Sequence, residues 1–446
     1  MKKVDRELYP YRHGQKGVKE HYQKFPKSMK GYGFFETPPQ IARWMVELAS
    51  LRPGMRILEP GAGTCVFLKT IREVHPDVPL KLHGIEINKE IAEDFDFPEV
   101  KLEIGDYLLW EPDLEFDLII GNPPYGTIGH PDRYPIAFLR EKKGQYKRIF
   151  STWQGKFNIY GAFIEKSIRL LAPNGTLIFI TPASWMVLDE FSLLRKLLGL
   201  SGHLDIYYLG KDVFPDADVS VVVFVLNRGG NGLRLFRASP AALPQGYLAE
   251  LILEKERYTG EIIGLETPFT REFSEGKMPL GTAFRVAISP RSPEFKSWDF
   301  VSREPGPDMV PVLNYTNLKP GMVDTTCHSG KWVPRDKIAF MRKEFAQPRI
   351  VVGRLIKNGK LVAAVAPAGY PWGGEVYHLI PKPGTNPVLE GIADYLNSPD
   401  VQRYLTELWR DIAIYYTATQ IKAIPVPKEL LGLGLIEKEA TNARKV

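Results

Sequence analysis

The chain has 446 residues, 58 Lys and Arg against 52 Asp and Glu for a net charge of +6, and 44% hydrophobic residues, which suits two or three globular domains with buried cores. No apolar run approaches the roughly eighteen residues that cross a bilayer, and the first residues lead into no signal-like segment, so a cytoplasmic, nucleoid-associated location without a membrane is expected. Only Cys65 and Cys327 are present, which excludes a disulfide framework and a cysteine-built zinc site, and no metal is expected.

In chain order, residues 1–33 hold nine Lys or Arg against three acids without a sustained period. They read as a basic N-terminal arm able to lie along a polyanion. A helix opens next: Thr37 can cap it, Pro38 suits its first turn, and Ile41, Trp44, Met45 and Leu48 share a face until Arg52-Pro53-Gly54. Then come four strand-and-crossover steps. Residues 56–59 predict a strand, Pro60-Gly61-Ala62-Gly63-Thr64 a tight turn into a helix over 67–74, and 82–86, 102–106 and 118–121 three more strands. Their carboxyl ends carry Glu59, Glu86, Asp106 and Asn122, spaced by 27, 20 and 16 residues as a strand plus crossover requires. All four side chains should line one edge of a parallel sheet, the edge where open α/β sheets bind ligands.

The residue types at that edge describe a nucleoside-bearing cofactor. Gly61 and Gly63 let the backbone approach a ligand, Glu86 can accept from ribose hydroxyls, and Asp106 from an adenine amino group. Glu59 would repel a pyrophosphate but suits the ammonium of S-adenosylmethionine, and Val66 stands where a nicotinamide fingerprint has its third glycine. Asn122-Pro123-Pro124-Tyr125 then points to methylation of a ring-conjugated amino nitrogen. The lone pair of such a nitrogen is delocalised and attacks poorly until something draws it toward tetrahedral geometry. The Asn122 side-chain oxygen and the Pro123 carbonyl can each accept one N–H, Pro123 and Pro124 hold both acceptors in place, and Tyr125 offers a face to a planar base.

Residues 126–158 are basic, aromatic and poorly periodic, with Tyr134, Lys142, Lys143, Tyr146 and Trp153, and read as a long functional loop. A helix over 163–171, a strand over 177–181 and a helix over 193–198 follow. Strands over 207–209 and 219–226 should form a hairpin pair, with Phe214 on a loop returning to the active edge. At Gly229-Gly230-Asn231-Gly232 the composition breaks, and a linker there would divide a domain over 34–235 from one over 236–446. The second domain shows strand-like runs over 350–352 and 361–365 and helices over 388–397 and 401–409. Between 319 and 360 it concentrates ten Lys or Arg against three acids, a second polyanion-facing stretch.

This order of motifs, with Ser151-Thr152-Trp153-Gln154-Gly155-Lys156-Phe157-Asn158, Tyr160-Gly161-Ala162-Phe163, Arg291-Ser292-Pro293-Glu294-Phe295-Lys296 and Asn317-Leu318-Lys319-Pro320-Gly321, resembles the gamma class of amino-directed DNA methyltransferases from about 34 to about 427. The resemblance implies an α/β architecture: a Rossmann-like S-adenosylmethionine-dependent methyltransferase domain with a seven-stranded mixed sheet, then a mixed α/β target-recognition domain. It implies cofactor contacts from Thr37, Glu59, Gly61, Glu86, Asp106 and Phe163, and a target adenine received by Asn122, Pro123, Tyr125 and Phe214 after leaving the duplex. Pro425 would fill a wedge position beside the vacated space. Arg291 is the candidate guanine reader, since an Arg fork matches O6 and N7, and Lys319 belongs to the basic stretch. Double-stranded DNA is the expected partner, 5′-TCGA-3′ the expected site, and a monomer beside a separately acting restriction endonuclease the expected setting.

Cytosine-N4 methylation remains open from the motifs, as does a noncatalytic DNA-binding specificity subunit that keeps the fold. A nicotinamide-dependent oxidoreductase is the third reading. No Pro-Cys nucleophile of the cytosine-C5 type is present.

Overall fold

The computed structural model describes residues 36–433 apart from 94–95, 129–134, 137–138, 156–157, 212, 215–218, 239–248, 355–359, 410–411 and 413–414; the basic arm expected over 1–33 lies outside the described residues. The chain divides into two units, Met1–Leu265 and Glu266–Val446.

In the first unit nine strands form one sheet: β1 Arg56–Pro60, β2 Lys81–Glu86, β3 Val100–Ile104, β4 Phe116–Gly121, β5 Leu171–Pro182, β6 Gly202–Gly210, β7 Val221–Arg228, β8 Leu233–Ala238 and β9 Ala249–Lys255. Their order is β3-β2-β1-β4-β5-β7-β6-β8-β9. β1 to β5 run parallel, and β7 lies antiparallel between β5 and β6. Ile57, Leu58, Leu118, Ile119 and Ile120 are all within 1% of full burial, the near-continuous apolar runs of strands covered on both faces. Helices α1 Pro39–Glu47, α2 Val66–Val74, α3 Lys89–Glu93, α4 Lys143–Ile149, α5 Tyr160–Leu170 and α6 Ser192–Ser201 complete the unit.

The sheet corrects the expected count of seven strands to nine. The seven expected strands are there in a mixed sheet of methyltransferase type, and β8, parallel to β6, and β9, antiparallel to β8, extend it. Leu233 and Leu235 are fully buried on β8, and Arg234 reaches Asp205 of β6 with two hydrogen bonds of 2.8 and 2.7 Å. The glycine run read as a linker is therefore a turn inside the first unit. Gly229 and Gly232 take φ of 91° and 97°, and a Cβ at Gly232 would stand 2.7 Å from the Lys255 carbonyl, so the turn needs glycine on both counts. Two smaller differences matter for the site. The irregular segment after Asn122 contains α4, and Thr37 does not cap α1, which starts behind Pro38 with no side-chain cap.

The second unit is built on a four-stranded antiparallel sheet, β10 Phe284–Ile288, β11 Arg349–Gly353, β12 Ala363–Ala366 and β13 Val376–Pro381, in the order β10-β13-β11-β12. Its helices longer than one turn are α7 Pro268–Ser274, α8 Ser292–Ser297, α9 Leu389–Asn397, α10 Pro399–Trp409 and α11 Ala418–Ala423. Among the described residues no helix is long and apolar enough to cross a membrane.

Candidate active site

The four strand ends converge. Glu59, Glu86, Asp106 and Asn122 line one open cleft, together with Thr37, Gly61, Pro124 and Phe163. The turn beneath it is tightly wound: Gly61 and Gly63 have φ of 62° and 51°, and Cys65 follows at 56°, a left-handed conformation uncommon for a residue with a Cβ. The space a Cβ would take at Gly61 lies 3.4 Å from Phe163 Cε1 and 3.8 Å from Pro124 Cδ.

Each carboxylate is held differently. Glu59, 3% exposed, accepts the N–H groups of Phe67 at 3.4 Å and Leu68 at 3.0 Å at the start of α2. Burial nevertheless pushes its carboxyl up to about 8, those two N–H groups opposing the rise. Glu86 accepts the N–H groups of Gly63 and Asn88, both at 2.8 Å and one on each oxygen, and burial raises its pKa as well. Gly63 thus serves the cleft through its amide. Asp106 accepts the Leu108 N–H at 3.1 Å on Oδ1, and Lys142 Nζ at 2.8 Å and the Tyr146 hydroxyl at 2.6 Å on Oδ2.

Asn88 was not anticipated. It lines the cleft, its Oδ1 accepts the Glu90 N–H at 3.2 Å, and its buried Nδ2 has no hydrogen-bond partner among the described residues. A polar residue two positions past the strand-end acid was the only signal for it.

Asn122 donates from Nδ2 to the Thr37 hydroxyl at 3.0 Å, so Thr37 sets the amide instead of capping a helix. Pro123 is buried and Pro124 half-buried. Tyr125 is 1% and Phe214 4% exposed, their rings meeting edge to face at 6.0 Å, and the Tyr125 hydroxyl donates to the Ile180 carbonyl at 3.3 Å. The open face expected on Tyr125 is therefore covered in this structure. In the second unit, Arg291 is exposed just ahead of α8 and Lys319 is exposed in a short pairing of Leu318–Lys319 with Met322–Val323. Pro425 is buried, paired with Pro279, and its carbonyl accepts the Tyr395 hydroxyl at 2.8 Å, a placement that offers no exposed wedge.

The family described as Eco57I restriction-modification methylase matches residues 70–214. The type II methyltransferase M.TthHB8I of Thermus thermophilus is 43% identical over 408 residues, 90% of this chain and 94% of that protein. The chain belongs to the type II methyltransferases. Two less similar relatives are M.CvrRI of Paramecium bursaria Chlorella virus XZ-6E, 29% identical over 48% of this chain and 53% of its own, and M.PaeR7I of Pseudomonas aeruginosa, 30% identical over 34% and 25%.

As a type II methyltransferase the protein is a DNA methyltransferase of restriction-modification kind, and S-adenosyl-L-methionine is its expected cofactor. The cleft fits that molecule. Among the described lining residues the acidic ones are Glu36, Glu59, Glu86 and Asp106, with no lysine or arginine. Such a wall takes an ammonium, hydroxyls and an amino group, and it opposes the pyrophosphate of a nicotinamide dinucleotide. The buried Asn88 Nδ2 adds a donor for a sugar or ring acceptor.

Proposed function

We propose that this type II methyltransferase methylates N6 of an adenine turned out of double-stranded DNA, in the manner of the gamma class and of the TaqI DNA adenine methyltransferase its motif order resembles, within 5′-TCGA-3′. The observation that carries the reading is the Asn122 carboxamide on the wall of a carboxylate-lined cleft, tethered to Thr37 and followed by two prolines.

Bound in the cleft, the cofactor supplies an electrophilic methyl group on a sulfonium. Glu59 would hold its ammonium, Glu86 its ribose and Asp106 its adenine, while Gly61, Phe163 and Thr37 line the walls. Asn122 Oδ1 and the Pro123 carbonyl each accept one N–H of the target amino group, which withdraws its lone pair from the ring and aims it at the methyl carbon. Pro123 and Pro124 keep those acceptors from reorganising as charge develops. Tyr125 and Phe214 replace the stacking lost on leaving the duplex, about 1–3 kcal/mol per aromatic contact. Transfer is direct: Cys65 is buried in the glycine turn with its thiol pushed far up by burial, which makes it a poor nucleophile. The second unit reads the target, Arg291 on a guanine edge and Lys319 on a phosphate.

Transfer of labelled methyl groups to duplex DNA, with nucleoside analysis and sequencing of the modified positions, tests this. N6-methyladenine within TCGA is expected. N4-methylcytosine would move the reaction to the other base, and no incorporation would leave a binding subunit.

A further inference from the structure

A carboxylate offers about four lone-pair sites, and at Asp106 the described residues take three. Oδ2 receives both Lys142 Nζ and the Tyr146 hydroxyl, while Oδ1 receives only the Leu108 N–H. Both donors to Oδ2 come from the segment after the Asn122 motif. Lys142 immediately precedes α4, and Tyr146 sits within it, fully buried, with its ring stacked on Trp153 at 6.3 Å. Leu139 of the same segment lines the cleft beside Asp106 and Leu108. The loop that looked shapeless in sequence is thus fastened to the cleft wall at Asp106.

We propose that Tyr146 and Lys142 are positioning residues that set purine specificity: by saturating Oδ2 they leave Asp106 a single acceptor, on Oδ1, for one N–H of an exocyclic amino group. The inference rests on the reading that Asp106 takes the adenine of the cofactor. A purine with a carbonyl at that position sets acceptor against acceptor and leaves Oδ1 unpaired, a mismatch that buried polar sites reject strongly. With either Oδ2 donor removed, the carboxylate can turn or recruit water, and the wrong purine is excluded less. A purely architectural role for the two side chains would weaken every ligand alike.

The test uses the full chain and binding alone. Calorimetric affinities for S-adenosylhomocysteine and S-inosylhomocysteine are compared in the wild type, Tyr146→Phe, Lys142→Met and Asp106→Asn, with thermal unfolding as a check on folding. The wild type should prefer the adenosyl ligand on the order of a hundredfold or more. Tyr146→Phe and Lys142→Met should each narrow that ratio by roughly three- to tenfold, and Asp106→Asn should collapse it. Lys142, whose side chain is 39% exposed, keeps the test alive if the buried Tyr146 variant does not fold. A collapsed ratio in Asp106→Asn with wild-type ratios in both other variants overturns the positioning role and leaves the Asp106 reading standing. An unchanged ratio in Asp106→Asn removes Asp106 from the purine and takes the inference with it.

Discussion

At the scale of single residues, the chemistry assigned to Asn122 depends on an acceptor held in place before the reaction. Asn122→Ala removes that acceptor and the tether to Thr37, and loss of one preorganised hydrogen-bonding group costs about a hundred- to a thousandfold in turnover. Turnover should fall by at least that much while affinities for duplex DNA and S-adenosylhomocysteine stay within about threefold; comparable losses in all three would make Asn122 a binding residue. Glu59 makes a separate prediction. Its folded carboxyl titrates near 8 against an ordinary 4.5, so between those values the folded state holds a proton that the unfolded chain has released. Its contribution to stability is fully present below 4.5 and is lost as pH rises through about 8, at roughly 1.4 kcal/mol per pH unit across the window. A bound ammonium reverses the shift, so cofactor binding near pH 7 should release a proton. Titration calorimetry in two buffers of different ionisation heat should detect that proton in the wild type and not in Glu59→Gln. Residues of this kind were legible in sequence because a polar group closing an apolar run is a local signal. Lys142 and Tyr146 were not assigned to Asp106, from which they stand 36 and 40 residues away, and the cap expected from Thr37 is absent: a threonine before a proline satisfies the local grammar of a cap without making one.

At the scale of elements, β1 and β4 could be placed from sequence because strands buried on both faces write themselves as apolar runs. The same rule failed beyond Gly232. β9 is the outer edge of the sheet and most of its residues are exposed or half-exposed, so it carries no such run, and the glycine turn before β8 has the composition of a linker. α4 was missed for another reason: seven residues with Tyr146 as the buried one are too few to register a helical period. The consequence for β8 can be measured. Leu235 is fully buried in it, and a Leu→Ala change in a packed core costs about 2–5 kcal/mol. Leu235→Ala should therefore lower the denaturation free energy of the unit that S-adenosylhomocysteine stabilises by an amount in that range. A loss below about 0.5 kcal/mol would make β8 a passive edge rather than part of the cofactor-bearing sheet.

At the scale of the whole molecule, the charge that suggests a polyanion is thinner than its count between 319 and 360. Arg349 is 1% exposed, its guanidinium bonded to His378 Nδ1 and to the carbonyls of Gln347 and Tyr370, and burial pulls its pKa down to about 10. Arg354 is paired with Glu375 and lies over the Tyr415 ring. Both are internal ties of the second unit, which composition alone could not reveal because His378, Tyr370, Glu375 and Tyr415 lie outside the stretch. Lys319, Lys337, Lys343 and Lys360 are exposed, Lys337 beside Asp336 at 3.0 Å, and can reach phosphates. Each phosphate contact releases counterions and contributes about 0.9 to the slope of log affinity against log salt. Replacing these four lysines with Gln should therefore flatten the slope by up to roughly 3.6 with little change in unfolding. Arg349→Gln should do the reverse, lowering stability through the carbonyls and imidazole it leaves unpaired while the slope of whatever remains folded is unchanged. A slope untouched by the four lysine changes would place the DNA against another surface, and the recognition role of this stretch would fall with it.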